Sequence, residues 1–344
     1  MPDIDLRADA RPAAQDGRAD APLFAALDLG TNNCRLLIAR RARSGFRIVE
    51  AFSRIVRLGE GLAGSGRMSD AAMDRAVAAL QVCADKIERR GVTRLRAVAT
   101  QACRSAHNGG AFLERVERET GLKLQVIDPS EEARLAVAGC TDLIDRQYRS
   151  AIILDVGGGS TEISWVRPRK PGDGRPAEIL AWHSVPLGVV TLAERFPEPE
   201  AASESWYEQM VAAMQDELAA FRGADEHRPA FTDGQTQLIG TSGAITSLAG
   251  LHLNLARYDR SRVDGLRITA DQCRTVTEGL LATSRDGRAA HGCIGPDRAD
   301  LVLVGAAILE AVQREWPCQN LRVADRGLRE GMLLSLMRRR RRRR

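Results

Sequence analysis

Once in each half of this chain a short apolar run ends in an aspartate, breaks at a cluster of glycine and small polar residues, and resumes as a second apolar run. Leu23–Leu29 and Cys34–Arg40 flank Gly30-Thr31-Asn32-Asn33, while Ala151–Val156 and Glu162–Val166 flank Gly157-Gly158-Gly159-Ser160-Thr161. Apolar runs of this length around turn residues read as β-hairpins. Asp28 and Asp155 then stand at strand ends, beside turns whose backbone N–H groups can face a phosphate. Taken alone, Asp28–Asn32 fits an ordinary hairpin turn equally well. The second loop is sharper, because three consecutive glycines clear the way for backbone contact with phosphate oxygens. Neither loop has the G-x-x-x-x-G-K-[ST] order, and Gly61–Gly66 lacks G-x-G-x-x-G, so P-loop and dinucleotide-binding readings are demoted. What remains is a pair of loops that can pinch one phosphate from both sides.

Around the hairpins the period changes. Met73, Ala76, Val77, Leu80, Cys83, Ala84 and Ile87 recur at helical spacing after a cap at Ser69 or Asp70, and Gly91 can end that helix. A strand over Leu95–Ala99, a helix over Ala111–Glu119, a strand over Lys123–Ile127 and a helix opening after Pro129-Ser130 follow. The second half adds a surface loop at Pro168–Pro176, a helix near Trp206–Phe221 and a strand at Gln237–Gly240 running into Thr241-Ser242-Gly243. Helices near Leu301–Glu315 and Leu328–Met337 close the chain. This alternation is α/β, and 344 residues with 44% hydrophobic content suit two lobes around a cleft.

Charge and thiol content narrow the chemistry. The net charge of +5 rests on Arg338–Arg344, without which the rest carries −2, so the body is no basic nucleic-acid binder. The arginine run reads as a solvated, disordered tail, as do residues 1–22. No apolar run nears the roughly 20 residues that cross a bilayer, and residues 1–22 show no apolar leader segment. Seven scattered cysteines without a C-x-x-C pair read as reduced thiols, and the expected location is the cytoplasm with no membrane contact. Five histidines, none in a metal-spaced pair, leave oxygen ligands for any metal.

Several ordered segments together resemble the exopolyphosphatase/guanosine pentaphosphate phosphohydrolase family, within the superfamily of acetate and sugar kinases, heat-shock chaperones and actin. They are Leu27–Asn32 with Arg35-Leu36, Arg57-Leu58-Gly59-Glu60-Gly61-Leu62, Ala99-Thr100 through Arg104 to Asn108, and Ser130-Glu131-Glu132-Ala133-Arg134-Leu135. Asp155–Glu162, Pro186-Leu187-Gly188 and Val323–Gly331 complete the set. Thr31 stands where the family often has Ser, and Thr241-Ser242-Gly243 replaces a more glycine-rich segment, which puts any nucleoside contact in question.

The resemblance implies two ribonuclease H-like lobes, as in actin-like ATPases. A first lobe would occupy 23–134, completed by a helix at 325–337, and a second 135–324, with the active site between them. It implies Mg²⁺-dependent release of terminal phosphates from inorganic polyphosphate, with guanosine pentaphosphate as the alternative substrate, and a homodimer. Glu132 would be the general base that activates water. From local sequence alone, Ser130 as N-cap puts Glu131 and Glu132 in a first helical turn, where the macrodipole favours carboxylates by about 0.3–1 kcal/mol; only the resemblance makes Glu132 a base. Asp155 and Glu162, with Asp28 a further candidate, would hold Mg²⁺. Gly30, Thr31, Asn32, Gly157, Gly158, Gly159, Ser160 and Thr161 would cradle phosphates. Arg104 would clamp a phosphate bidentately, though by itself it reads as a solvated helix-end arginine, and Arg35 and Arg57 are weaker candidates. A kinase of the same superfamily and a non-catalytic polyphosphate or alarmone sensor are the rival readings.

Overall fold

The computed structural model describes residues 21–43, 45–169, 175–221, 226–229 and 233–338. Most of the expected N-terminal tail, the middle of the Pro168–Pro176 loop and the arginine run beyond Arg338 lie outside the described residues. Eleven strands form two mixed sheets among those residues. The first contains β1 (Leu23–Leu29), β2 (Asn33–Arg41), β3 (Phe46–Ile55), β4 (Arg94–Ala99) and β5 (Gln125–Val126), in the order β3-β2-β1-β4-β5. The second contains β6 (Ser150–Val156), β7 (Thr161–Arg167), β8 (Glu178–Val185), β9 (Thr236–Thr241), β10 (Arg267–Thr269) and β11 (Asn320–Ala324), in the order β10-β11-β9-β6-β7-β8. Each sheet joins an antiparallel three-strand meander to parallel strands, β4 beside β1 and β9 beside β6. Both halves thus have the ribonuclease H-like arrangement.

The helices are α1 (Leu62–Ser65), α2 (Asp70–Arg89), α3 (Gln101–Ser105), α4 (Gly109–Thr120), α5 (Pro129–Cys140), α6 (Val189–Arg195) and α7 (Glu204–Leu218). They continue as α8 (Gly243–His252), α9 (Arg260–Val263), α10 (Ala270–Leu281), α11 (Arg285–Ala290), α12 (Val302–Glu315) and α13 (Leu328–Met337). Local chemistry explains the clearest of them. The Ser69 hydroxyl accepts from the Ala72 N–H at the start of α2, and Gly91 follows its end at φ 62°, in the left-handed region that favours glycine. The apolar stripe of α2, with Ala76, Ala79, Leu80 and Cys83 all at 0% exposure, packs on the first sheet. Full burial of a residue like Leu80 stabilises the lobe by about 1.5–3 kcal/mol.

Two expectations shift. The strand expected over Lys123–Ile127 shrinks to Gln125–Val126, because this edge strand pairs only with Val98 and Ala99 before Ile127 turns into the core. The N-cap of α5 is Asp128, not Ser130. Its extended backbone lets its carboxylate accept the Glu131 N–H at 2.9 Å, while Ser130 spends its hydroxyl on that same carboxylate at 2.7 Å. Pro129, with no N–H to satisfy, suits the first helical position.

Strand alternation decides which residues face the cleft. Ala25, Leu27 and Leu29 point into the core under α2, whereas Phe24 and Ala26 point the other way, onto Leu328, Met332 and Leu333 of α13. In the second sheet Ile152, Leu154 and Val156 enter the larger core, while Ala151 and Ile153 meet Val137 and Cys140 of α5. Period two puts Asp28 on the α13 side and Asp155 on the α5 side. The two helices cross where Gly139 and Gly331 leave no room for a side chain. A Cβ at Gly139 would lie 2.0 Å from the Gly327 carbonyl oxygen, and one at Gly331 would lie 2.0 Å from that of Leu135. This close crossing draws the aspartate faces of the two sheets together. All seven cysteines carry free thiols, and among the described residues no helix is long and apolar enough to cross a membrane.

Candidate active site

The two glycine loops turn their carbonyls away from the cleft. In the first, the Asn32 carbonyl accepts from the Val56 and Arg57 N–H groups at 2.8 and 3.1 Å, and the Thr31 carbonyl accepts from Gly59 at 2.9 Å. In the second, the Gly157 and Gly158 carbonyls accept from Val189 and Val190, at the N-terminus of α6, at 3.0 and 2.8 Å. The N–H groups of Thr31, Asn32, Gly158, Gly159 and Ser160 have no intramolecular partner among the described residues. Unpaired donors converging from two lobes make an anion-binding concavity. The loops also touch: a Cβ on Gly158 would come within 3.0 Å of the Asn32 nitrogen, and one on Gly159 within 2.8 Å of Thr31 Oγ1. Glycine is required there because the lobes meet, not because of a positive φ.

Gly30 closes the first turn with a 2.8 Å bond to the Asn33 carbonyl, and Gly157 closes the second with a 2.9 Å bond to that of Ser160. Thr161 departs from expectation. Its residue is fully buried and its hydroxyl donates to the Leu187 carbonyl at 2.6 Å, so its side chain anchors the hairpin instead of facing phosphate. The hydroxyl of Ser160 is likewise engaged, with Glu162 Oε1 at 2.8 Å, leaving its N–H for an anion.

Four carboxylates lie beside these loops, Glu162 buried and Asp28, Glu132 and Asp155 half-buried. Register places Asp155 directly opposite Glu162 and Asp28 directly opposite Arg35, so facing side chains sit about 5 Å apart at Cβ. Burial raises the Asp155 carboxyl to about 7, reinforced by the Glu132 charge and opposed by Arg35. Burial also raises Glu162, with the Asp155 charge adding and the Ser160 and Ser184 hydroxyls opposing. Glu132 is pushed up by burial and then by the Glu162 charge, against Arg104. Asp28 is raised by burial, with Arg35 and Arg329 pulling back.

Crowded like charges of this kind suit a cation. The donor set is all oxygen, and the buried Asn32 Oδ1 has no partner. No three His, Cys, Asp or Glu side chains among the described residues form a cage by themselves. That fits Mg²⁺, which uses one or two carboxylates together with substrate phosphate oxygens. It does not fit a closed protein-only site.

Adjacent glutamates on α5 have separate duties. Glu131 pairs outward with Arg96 at 2.7 Å and with Arg134. Glu132, about 100° further round the helix, turns inward and accepts from Arg104 Nη1 at 2.9 Å. Arg104 is therefore neither solvated nor a free phosphate clamp. Its Nη1 also donates to the Ile127 carbonyl at 2.6 Å, and its Nε and Nη2 both donate to Gln101 Oε1, at 3.3 and 2.8 Å. Arg57 is occupied elsewhere, bridging the lobes to Asp300 at 2.9 Å from a left-handed backbone at φ 46°. Beside it the Gly61 N–H donates to Glu194 at 2.7 Å, a second contact between the lobes.

Sequence reasoning missed Gln101 and Ser184. Gln101 could have been found from its position three residues before Arg104 on one helix. Ser184 gave no local signal, since only the register of β7 with β8 sets it beside Glu162.

Comparisons with known proteins bear on the family and the fold. A model of the Ppx/GppA phosphatase family matches residues 37–340. Exopolyphosphatase 2 of Mycobacterium tuberculosis is 30% identical over 330 residues, covering 91% of this chain and 98% of that protein. Among solved structures, an exopolyphosphatase from Cytophaga hutchinsonii superposes with a TM-score of 0.79 at 25% identity, over 91% of this chain and 97% of that one. The Aquifex aeolicus member of the Ppx/GppA family gives 0.73 at 28% identity, over 92% and 97%.

Proposed function

The chain belongs to the Ppx/GppA phosphatase family, and from that premise we propose that it is an exopolyphosphatase, cutting terminal phosphates from inorganic polyphosphate with water as the acceptor. The observation that carries this reading is the meeting of two unpaired N–H arrays over a carboxylate cluster whose Glu132 is held in place by Arg104. The names of its relatives support polyphosphate as substrate.

The residues divide the work as follows. The free N–H groups of Thr31 and Asn32 on one side and of Gly158, Gly159 and Ser160 on the other hold the terminal phosphate from both lobes. Glu132 takes a proton from the attacking water; a new P–O bond forms, the bridging P–O bond breaks, and orthophosphate leaves a chain one unit shorter. Its raised pKa gives it the proton affinity a base needs near neutral pH. The Arg104 guanidinium, fixed by Gln101 and the Ile127 carbonyl, holds that carboxylate in one orientation. Asp155 and Glu162 would hold Mg²⁺, which when bound neutralises phosphate charge. Asp28, facing Arg35, supports the first loop and is the weaker ligand candidate.

The test is phosphate release by the purified protein with Mg²⁺, offered long-chain polyphosphate and guanosine pentaphosphate in parallel, beside the Glu132→Gln variant. Release from polyphosphate that collapses in the variant is the expected result. Release confined to the nucleotide transfers the proposal to guanosine pentaphosphate, and binding without release from either indicates a sensor. ADP formation that requires a phosphoryl acceptor would instead indicate a kinase.

A further inference from the structure

We infer that Ser184 is a positioning residue for Glu162, its hydroxyl fixing one carboxylate oxygen so that the other is left for the cleft. The inference rests on the reading of Glu162 as a Mg²⁺-holding carboxylate. Glu162 is 2% exposed, and its Oε1 accepts two hydroxyls at once, from Ser160 at 2.8 Å and from Ser184 at 2.9 Å. A carboxylate oxygen offers two lone pairs, so Oε1 is filled. Oε2 receives neither hydroxyl.

The two donors are not equivalent. Ser160 lies in the glycine loop that meets the phosphate. Ser184 stands on β8, directly opposite Glu162 in the β7–β8 register, where strand geometry fixes its approach. The end of β8 is further tied to the loop, since the Leu187 carbonyl accepts from Thr161 and the next residues open α6 under Gly157 and Gly158. Ser184 therefore holds the carboxylate from the β8 side of the hairpin, while Ser160 holds it from the loop whose N–H groups face the anion.

The first sheet supplies an internal control. The position matching Ser184 in the β2–β3 register is Ser53, opposite Arg35, and the residue it faces there is a cation. Only in the second lobe does the serine meet a carboxylate.

The experiment uses Mn²⁺ as a paramagnetic probe on the full chain without substrate, titrated by electron paramagnetic resonance. Partners that orient a ligating carboxylate are worth about 10–100-fold in metal affinity. Ser184→Ala should weaken Mn²⁺ binding about tenfold, and Ser184→Thr, which keeps the hydroxyl, should restore most of it. Ser184→Ala binding Mn²⁺ as tightly as the parent overturns the inference, as does a folded Ser184→Thr that binds no better than Ser184→Ala. Glu162→Gln separates the two levels. If it leaves Mn²⁺ affinity unchanged, the metal reading of Glu162 fails and takes Ser184 with it. If it weakens binding while Ser184→Ala does not, the inference about Ser184 fails alone.

Discussion

The β1–β2 and β6–β7 hairpins share one layout, and they differ in charge at the position facing the aspartate. Asp28 looks across at Arg35, whereas Asp155 looks across at Glu162. In the first hairpin a neighbouring cation offsets part of the cost of burying a carboxylate. In the second, buried Glu162 and half-buried Asp155 lie side by side and both are driven toward protonation. The same backbone therefore yields a charge-balanced phosphate loop in one lobe and a site hungry for a cation in the other. Duplication of a fold does not duplicate its chemistry; the residue facing each aspartate sets its charge balance.

The largest effect should come from the base that the acidic hairpin perturbs. Glu132→Gln is expected to lower kcat by about 10²–10⁴, the range for a positioned general base, with the KM for polyphosphate changing little. Steady-state kinetics at saturating Mg²⁺ would check it, and a kcat near the parent's would remove Glu132 from the chemistry. Next comes the reciprocal exchange of the facing residues. Glu162→Arg makes the second hairpin resemble the first and should cost activity about 100-fold or more, as expected when a charge-stabilising element is lost. Arg35→Glu makes the first resemble the second, leaves Asp28 without its facing cation, and should destabilise the lobe by about 3 kcal/mol or less because Arg35 is only half-buried. Urea unfolding of both variants sorts the catalytic loss from the structural one; equal stability losses would erase the asymmetry.

The glycines provide a finer comparison. A Cβ at Gly30 meets nothing closer than 3.5 Å, while one at Gly159 would approach Thr31 Oγ1 to 2.8 Å and Gln101 Cγ to 3.0 Å. Gly159→Ala should therefore cost about 1–3 kcal/mol of overpacking at the meeting of the loops and show it as a raised KM. Gly30→Ala should remain near the parent in the same assay.

The smallest expected effect is on stability against pH. Asp155, Glu162 and Glu132 have folded pKa values raised above their unfolded ones, so the folded state keeps protons that the unfolded state has released. Without Mg²⁺, stability should be fully present below the ordinary carboxylate range and decline from there through about pH 7, the raised value of Asp155 and Glu162, and about pH 8, that of Glu132. Thermal melts from pH 4 to pH 8 (about the span of those shifts) should show the decline, and Mg²⁺ or Glu162→Gln should flatten it. A flat profile in the metal-free parent would contradict the crowding of these carboxylates.

Much of this was legible in the chain as written. The hairpins are set by apolar runs around Gly30–Asn33 and Gly157–Thr161, and the structure places β1, β2, β6 and β7 within a residue of the expected strands. The helix near Trp206–Phe221 begins two residues earlier, at Glu204, because Ser203 caps it through the Trp206 N–H. Misreadings occurred where a side chain had two local uses. Ser130 and Asp128 can both cap α5, and the competition is decided by backbone conformation, which residue type does not reveal. Thr161 has the hydroxyl of a phosphate ligand but spends it on Leu187, a partner brought near by the β8–α6 turn.

The sequence by itself determined where the chain turns, which strands alternate, and that two Asp-x-Gly loops would present backbone N–H groups, since these follow from local torsions and side-chain period. Only the tertiary structure decided that Arg104 belongs to Glu132, that Gln101 holds it there, that Arg57 bridges to Asp300, and that Ser184 serves Glu162. The reason is physical: these partners are set by sheet register and by the Gly139/Gly331 crossing of α5 and α13, and such long-range packing leaves no periodic trace in the residues it joins.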